Sequence, residues 1–253
     1  MTRDHCLFAR IEEYYDLVPR AAATTEEVGP FTLFVPEEGT GWHFYARPRL
    51  HGSATFTAKA VERVLARQVE LGLPQAIEWV DEVTPSLLPA VRGAGHEPHR
   101  YPLLTLPADV PMEADPRARQ LPHADPHLGI AFGTVKAGFK GRDRVEPHDT
   151  GRKPELIEQG ALIVVASYEG DRLCGAGSAA PRGDVAELMG IAVPPAHRNR
   201  GHGSAITRSL VAACRERGVD LVFLTAGSDD AARIYRRVGF RDTGTAYVLE
   251  LDD

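Results

Sequence analysis

The chain has 253 residues, 43% of them hydrophobic and 25% charged, with a formal net charge of −6. That length admits one large domain or two small ones, with a core that needs no disulfide support. The acidic balance argues against a broad nucleic-acid-binding face, and three scattered cysteines, Cys6, Cys174 and Cys214, show neither a disulfide framework nor metal spacing. No signal-peptide core opens the chain and no apolar run reaches the length of a membrane span. The expectation is a cytoplasmic protein, monomer or homodimer, with no nucleic-acid, membrane or metal partner.

In chain order, the spacing of Leu7, Ile11, Tyr14, Tyr15 and Val18 predicts a helix over 5–18 that ends before Pro19. Residues 30–35 (PFTLFV) predict a strand. Residues 55–71 predict an amphipathic helix with Ala60, Val61, Val64, Leu65 and Val69 inward, closed by Gly72 and Pro74. A strand at 76–80, a short helix at 85–95 and a strand at 99–106 follow. Residues 107–126, rich in Pro, Asp and Ala without an apolar period, mark a domain boundary near residue 110. Beyond it, 118–121 predicts a short strand, and Asp125 caps a helix running from Pro126 towards Phe139. Residues 138–154 are polar and glycine-rich and read as a mobile loop. Three strands follow at 161–168, 172–181 and 185–193, joined by turns at EGD and RGD. A helix at 203–217 turns Ile206, Leu210, Val211 and Cys214 inward. A strand at 221–225, a short helix at 229–240 closed by Gly239, and a strand at 245–251 complete the chain.

One stretch organises the rest: Glu187–Gly203, ELMGIAVPPAHRNRGHG. An apolar strand, interrupted by Gly190, is stopped by Pro194-Pro195, which cannot donate to a sheet ladder. The loop Arg198-Asn199-Arg200-Gly201-His202-Gly203 then opens a helix. The first helical N–H groups have no internal partner, the macrodipole adds partial positive charge, and glycines let the backbone approach an anion. This is a recipe for holding phosphate. Gly-x-Gly alone is also common in turns and close helix packing.

The pattern Arg198-x-x-Gly201-x-Gly203 after such a strand resembles the coenzyme A pyrophosphate loop of the GNAT superfamily, the GCN5-related N-acetyltransferases. A second signature of that family, Ala-x-x-x-Tyr-x-x-x-Gly-Phe, reads here from Ala231 through Tyr235 to Gly239-Phe240, at about the matching distance downstream. The resemblance covers residues 117–253 well and the first half faintly. Both halves share one order: helix ending in glycine, strand, short helix ending in glycine, strand. The first half has no Arg-x-x-Gly-x-Gly, only RLHGSATFT at 49–57. The chain therefore resembles tandem GNAT proteins in which one half has lost its cofactor loop. The resemblance implies an α/β (α+β) fold with two GNAT-like domains, each a mixed, mostly antiparallel central sheet flanked by helices. Residues 1–110 would be the degenerate domain, with a packing and substrate-shaping role, and residues 111–253 the acetyl-CoA-binding catalytic one.

The same resemblance implies an acetyl-CoA-dependent N-acetyltransferase that moves an acetyl group to a primary amine, with that of a small molecule as the expected acceptor, by direct transfer in a ternary complex. Acetyl-CoA is the cosubstrate. Its contacts would be the backbone at Ile191, Ala192 and Val193, the loop Arg198, Asn199, Arg200, Gly201, His202, Gly203 and Ser204, and Tyr235. Tyr235 would be the general acid towards the departing thiolate. A thiol near pKa 8.5 and a phenol near 10 are not badly mismatched. The alternative for Tyr235 is a core tyrosine. Glu187 matches the strand glutamate that serves some members as general base, and an alkylamine of pKa about 10.4 does need one at neutral pH. The alternative is an exposed strand-start glutamate, with water, Asp229, Asp230 and His202 as other bases. No cysteine lies in either motif, which disfavours a covalent enzyme intermediate. The competing reading is a non-catalytic acyl-CoA-binding or partner-binding protein on the same fold.

Overall fold

The chain opens with a helix, α1 (Arg3–Arg20), in which Ile11, Tyr14 and Tyr15 are buried; Pro19 lies inside its last turn instead of beyond its end. The computed structural model describes residues 3–37, 45–52 and 55–251. Strands β1 (Ala23–Val28) and β2 (Phe31–Pro36) form an antiparallel hairpin, with register from Ala23↔Pro36 to Val28↔Phe31. β1 reads ATTEEV, so its strand state comes from this pairing and not from an apolar pattern of its own. The two-residue β3 (Arg47–Pro48) pairs with the start of β2. Part of the 49–57 stretch, residues 53–54, lies outside the described residues.

Helix α2 (Ala58–Glu70) buries Val61, Val64, Leu65 and Gln68, one face at i, i+3, i+4 and i+7. Val69, expected inward, is 59% exposed. Gln68 takes the inward place because both ends of its amide are paired: Nε2 donates to the Ala76 carbonyl at 2.8 Å, and Oε1 accepts the Ala76 N–H at 3.1 Å. Strand β4 (Gln75–Val80), helix α3 (Leu87–Gly93) and strand β5 (His99–Leu106) follow as the sequence predicts. The core beneath them gathers Phe31, Leu33, Val64, Ile77, Trp79, Leu87 and Leu249. Each such side chain contributes about 1.5–3 kcal/mol by leaving water.

The later elements are β6 (Ala118–Gln120), α4 (Leu128–Phe139), α5 (Lys153–Glu158), β7 (Ile163–Glu169), β8 (Arg172–Arg182), β9 (Val185–Ala192), α6 (His202–Arg215), β10 (Leu221–Thr225), α7 (Asp229–Val238) and β11 (Arg241–Leu251). Strands β6 to β9 pair antiparallel in chain order, and β10 adds parallel to β9. β7 is a continuous apolar run because both its faces are covered. Ile163 and Val165 join the core under α6, while Val164 and Ala166 pack with Leu128 and Ala131 of α4. Ile206, Leu210, Val211 and Cys214 of α6 are all fully buried, as its period predicts. The polar stretch after α4 lies partly against that helix: the His148 N–H donates to the Gly129 carbonyl at 2.9 Å. A Cβ on Gly133 would collide with the Glu146 carbonyl.

Two compact units result: residues 1–103 with 244–253, and residues 104–243. The division departs from 1–110 and 111–253 at the end of the chain. From Ala246 to Leu251, β11 pairs antiparallel with β4, Ala246↔Val80 through Leu251↔Gln75, and Tyr247 stacks on Trp79 at 5.2 Å. Residues 244–253 thus belong with the first unit. No helix among the described residues is long and apolar enough to cross a membrane.

Candidate active site

The site grows from the parting of two strands. Among the described residues the register of β10 against β9 runs over three positions, ending at Phe223↔Glu187, although β9 continues to Ala192. Beyond Glu187, that register assigns Leu188–Ala192 no paired position on β10. On its other edge β9 is bulged: its register against β8 steps from Met189↔Ser178 to Ala192↔Ala176, with Gly190 at φ 59°. The bulge pushes side chains towards β8, where glycines receive them. A Cβ on Gly177 would sit 2.6 Å from Ile191 Cγ1, and one on Gly175 2.9 Å from Val193 Cγ2. The sequence marks these glycines as weak points of a strand; their reason is close approach.

Beyond β9, a 3-10 turn (Pro195–His197) leads into the loop. Asn199 has φ 61° and Gly201 φ 85°, both left-handed, so successive amides turn to one side, as in anion-binding nests. None of the backbone N–H groups of Asn199, Arg200, Gly201, His202, Gly203 and Ser204 donates to an acceptor among the described residues. Gly201 is the helix cap of α6 and supplies no side chain to close it.

The loop's side chains brace it. The Arg198 guanidinium donates to the Val193 carbonyl at 3.0 Å and to the Gly138 carbonyl at 2.9 Å. Arg117, held by Asp115, donates to the Arg200 carbonyl at 3.0 Å. Arg200 pairs with Glu169 at 3.0 Å, and the buried His202 places Nε2 3.2 Å from the same carboxylate. The His202 ring and the Arg200 guanidinium hold Glu169 below the usual carboxylate range. Thus His202 is buried, and the exposed Arg198 directs two of its guanidinium nitrogens to backbone carbonyls, while the loop amides stay open. Ile191, Ala192, Val193 and Ser204 lie on the same continuous strand, loop and helix start.

Tyr235 stands in the last turn of α7. That helix is fixed at both ends: the Ser228 hydroxyl accepts the Ala231 N–H at 3.1 Å, and Gly239, at φ 117°, ends it. The N–H groups of Gly239 and Phe240 both donate to the Tyr235 carbonyl at 3.1 Å. The ring packs edge-on to Phe240, and burial pushes the phenol up to about 12. Its hydroxyl has no hydrogen-bond partner among the described residues. Ile234 of the same helix lies beside Gly203, 3.8 Å from where a Cβ there would stand. Glu187 is half-buried where β9 and β10 part. Asp229 and Asp230 are exposed in the first turn of α7, the end of the helix dipole that favours acids.

Sequence reasoning missed Arg117, Glu169, Cys174 and His197, all packed on or under the loop. Their chain distance from it hides three of them; His197 and His202 share a readable four-residue gap. Two clefts of about 710 and 950 Å³, one walled by Arg117, His127 and Tyr168 and the other by Phe8, Arg49 and Ser86, include neither the loop nor Tyr235.

Residues 136–240 match the profile of the acetyltransferase (GNAT) family. Among solved structures, a GCN5-related N-acetyltransferase from Kribbella flavida is similar with a TM-score of 0.73 and 23% identity, covering 97% of this chain and 95% of that one. A GNAT-family structure from Novosphingobium aromaticivorans has a TM-score of 0.52 and 20% identity, with 90% and 92% covered. A tandem GNAT protein from the clavulanic acid biosynthesis pathway has a TM-score of 0.53 and 14% identity, with 89% and 80% covered. These likenesses concern the fold. No curated protein matches the chain.

Proposed function

With residues 136–240 forming a GNAT-family acetyltransferase domain, we propose that the unit 104–243 transfers an acetyl group from acetyl-CoA to the primary amine of a small molecule, directly and without a covalent enzyme intermediate. The observation that carries this reading is the run of six amides from Asn199 to Ser204 with no acceptor among the described residues, at a helix start that follows the strand end beyond the β10 register. Three hydrogen bonds to a charged oxygen, at about 1.5–3 kcal/mol each, approach the ~8 kcal/mol of micromolar binding. The helix dipole adds about 0.3–1 kcal/mol. The amides can therefore hold a pyrophosphate even with Arg198 engaged at the Val193 and Gly138 carbonyls.

Acetyl-CoA supplies an activated acyl group whose sulfur leaves as a thiolate. The backbone at Ile191–Val193 aligns the pantetheine arm and offers an N–H to the thioester oxygen. Glu187, or a water it orients, takes the proton that the acceptor ammonium must lose. Tyr235 donates to the departing sulfur. With its phenol at about 12, it keeps its proton at neutral pH and stabilises the departing sulfur as a hydrogen-bond donor; a thiolate, of thiol pKa about 8.5, is the weaker base and leaves the proton on the phenol. The first unit is a second GNAT-like domain without a cofactor loop.

An assay of thiol release across a panel of small amines tests this reading. Turnover with at least one amine supports it. Acetyl-CoA binding without turnover by any amine, lysine peptide or protein N-terminus would leave a binding protein instead.

A further inference from the structure

The chain carries a cluster that the transfer reaction does not use. Glu169 ends β7 and Cys174 lies in β8, on either side of the hairpin turn at Gly170–Asp171. His197 and His202 stand on either side of the loop 198–201. One ligand atom from each of these four residues lies within 4.8 Å of all the others. Cys174, His197 and His202 are 0%, 6% and 2% exposed. The Nδ1 atoms of both histidines are buried without a hydrogen-bond partner among the described residues. An unpaired buried polar atom costs about 1–3 kcal/mol, and most native proteins avoid it. Two buried imidazoles with unsatisfied nitrogens, gathered with a buried thiol and a carboxylate, are poorly explained by packing alone.

We propose that Glu169, Cys174, His197 and His202 form a zinc site that clamps the β7–β8 hairpin to the loop opening α6. A tetrahedral zinc, with Zn–N about 2.0–2.1 Å and Zn–S about 2.3 Å, sets ligand atoms about 3.3–3.8 Å apart. The cluster thus closes on a metal by movements of about an ångström. One sulfur, two imidazoles and one carboxylate suit Zn²⁺ in both ligand softness and number. The spacing His197-x₄-His202 falls in the range of zinc ligand pairs, and each turn contributes one pair of ligands, as in zinc knuckles. On binding, the Cys174 S–H bond gives way to S–Zn and its proton leaves to solvent. The thiolate and Glu169 together balance the double charge of the ion. Arg200, now paired with Glu169 at 3.0 Å, keeps the second carboxylate oxygen. The role is structural: the ion fixes the ends of the loop whose amides face outward. The inference stands on the cluster and not on the acetyl-transfer reading.

The test uses the full chain, purified with zinc and then dialysed. Elemental analysis should find about one zinc per chain, and a chelator should lower the melting temperature. Replacement by Co²⁺ should give a sulfur-to-cobalt charge-transfer band that saturates at stoichiometric metal. The band should vanish in Cys174→Ser, weaken at least tenfold in affinity in His197→Gln, and persist in Cys6→Ser. Should the variants fail to fold, X-ray absorption at the zinc edge of the wild-type chain serves instead: one sulfur at about 2.3 Å with nitrogen and oxygen ligands at about 2.0–2.2 Å is expected. Substoichiometric metal, a cobalt band that survives Cys174→Ser, or a zinc shell without sulfur would overturn the site. Loss of metal binding with acetyl-CoA binding retained, or the reverse, separates this inference from the proposed function.

Discussion

Helices α2 and α6 occupy the same place in a repeated order. Each follows three strands that pair in succession and precedes a strand, a short helix and another strand. Their first turns differ. At α2, Thr57 sits in extended conformation and its hydroxyl accepts the Ala60 N–H at 3.3 Å. At α6, the cap is the left-handed Gly201, without a side chain, and the donors stay open. A threonine closes a helix start onto itself; a glycine leaves it for a ligand. The preceding strands differ likewise: β3 has two residues and ends in Pro48, whereas β9 has eight and runs on past its register with β10. Arginine differs in burial alone, since it braces its surroundings in both halves. Arg47 is buried, bridging Glu78 at 2.7 Å and Glu12 at 3.4 Å over the Tyr15 ring, while Arg200 is exposed at the loop. One half uses its polar groups to hold itself together; the other leaves amides to hold something else.

This contrast can be broken from either side. The largest effect is expected from Tyr235→Phe, which should lower kcat by about 10²–10⁴ while acetyl-CoA affinity, measured by calorimetry, stays within about twofold. An unchanged kcat would remove Tyr235 from the chemistry. In the first half, Arg47→Ala should destabilise by about 3–5 kcal/mol, because it leaves Glu12 and Glu78 charged and poorly solvated. Denaturant unfolding measures it, and a loss under 1 kcal/mol would mean the cluster is solvated. Thr57→Ala should cost about 1 kcal/mol in the same experiment and leave cofactor binding alone.

The smallest effect concerns pH. A phenol raised by burial favours the folded state while it is neutral. Tyr235 therefore contributes no pH dependence below its unfolded pKa near 10, and its contribution is lost as pH rises towards about 12. Phenolate absorbance in wild type and Tyr235→Phe should differ only in that alkaline window. A difference near pH 9 would place the ring in water.

Much of this was legible in the sequence because local pattern and burial agree there. β5 and β10 match their predicted ends, both being apolar runs bounded by turn residues. The loop and the Tyr235 motif are read from short spacings. What was not legible depends on pairing across long chain distances. β1 is polar and is a strand only through β2. The return of residues 244–253 to the first unit follows from pairing with β4, more than 160 residues earlier. Val69 was misplaced because a glutamine paired at both its amide nitrogen and its amide oxygen can outcompete a valine for an inward position. The cluster of Glu169, Cys174, His197 and His202 joins two turns, and only the histidine pair leaves a trace in the sequence.

The most direct test of the central claim is calorimetric titration of the chain with acetyl-CoA, alongside Gly203→Trp, whose ring would fill the space before the open amides. One site per chain is predicted, weakened on the order of 100-fold or more, about 2.7 kcal/mol, by the substitution. Two sites, or a single site indifferent to Gly203→Trp, would contradict the division between an open and a closed half. No binding at all would contradict the proposed activity.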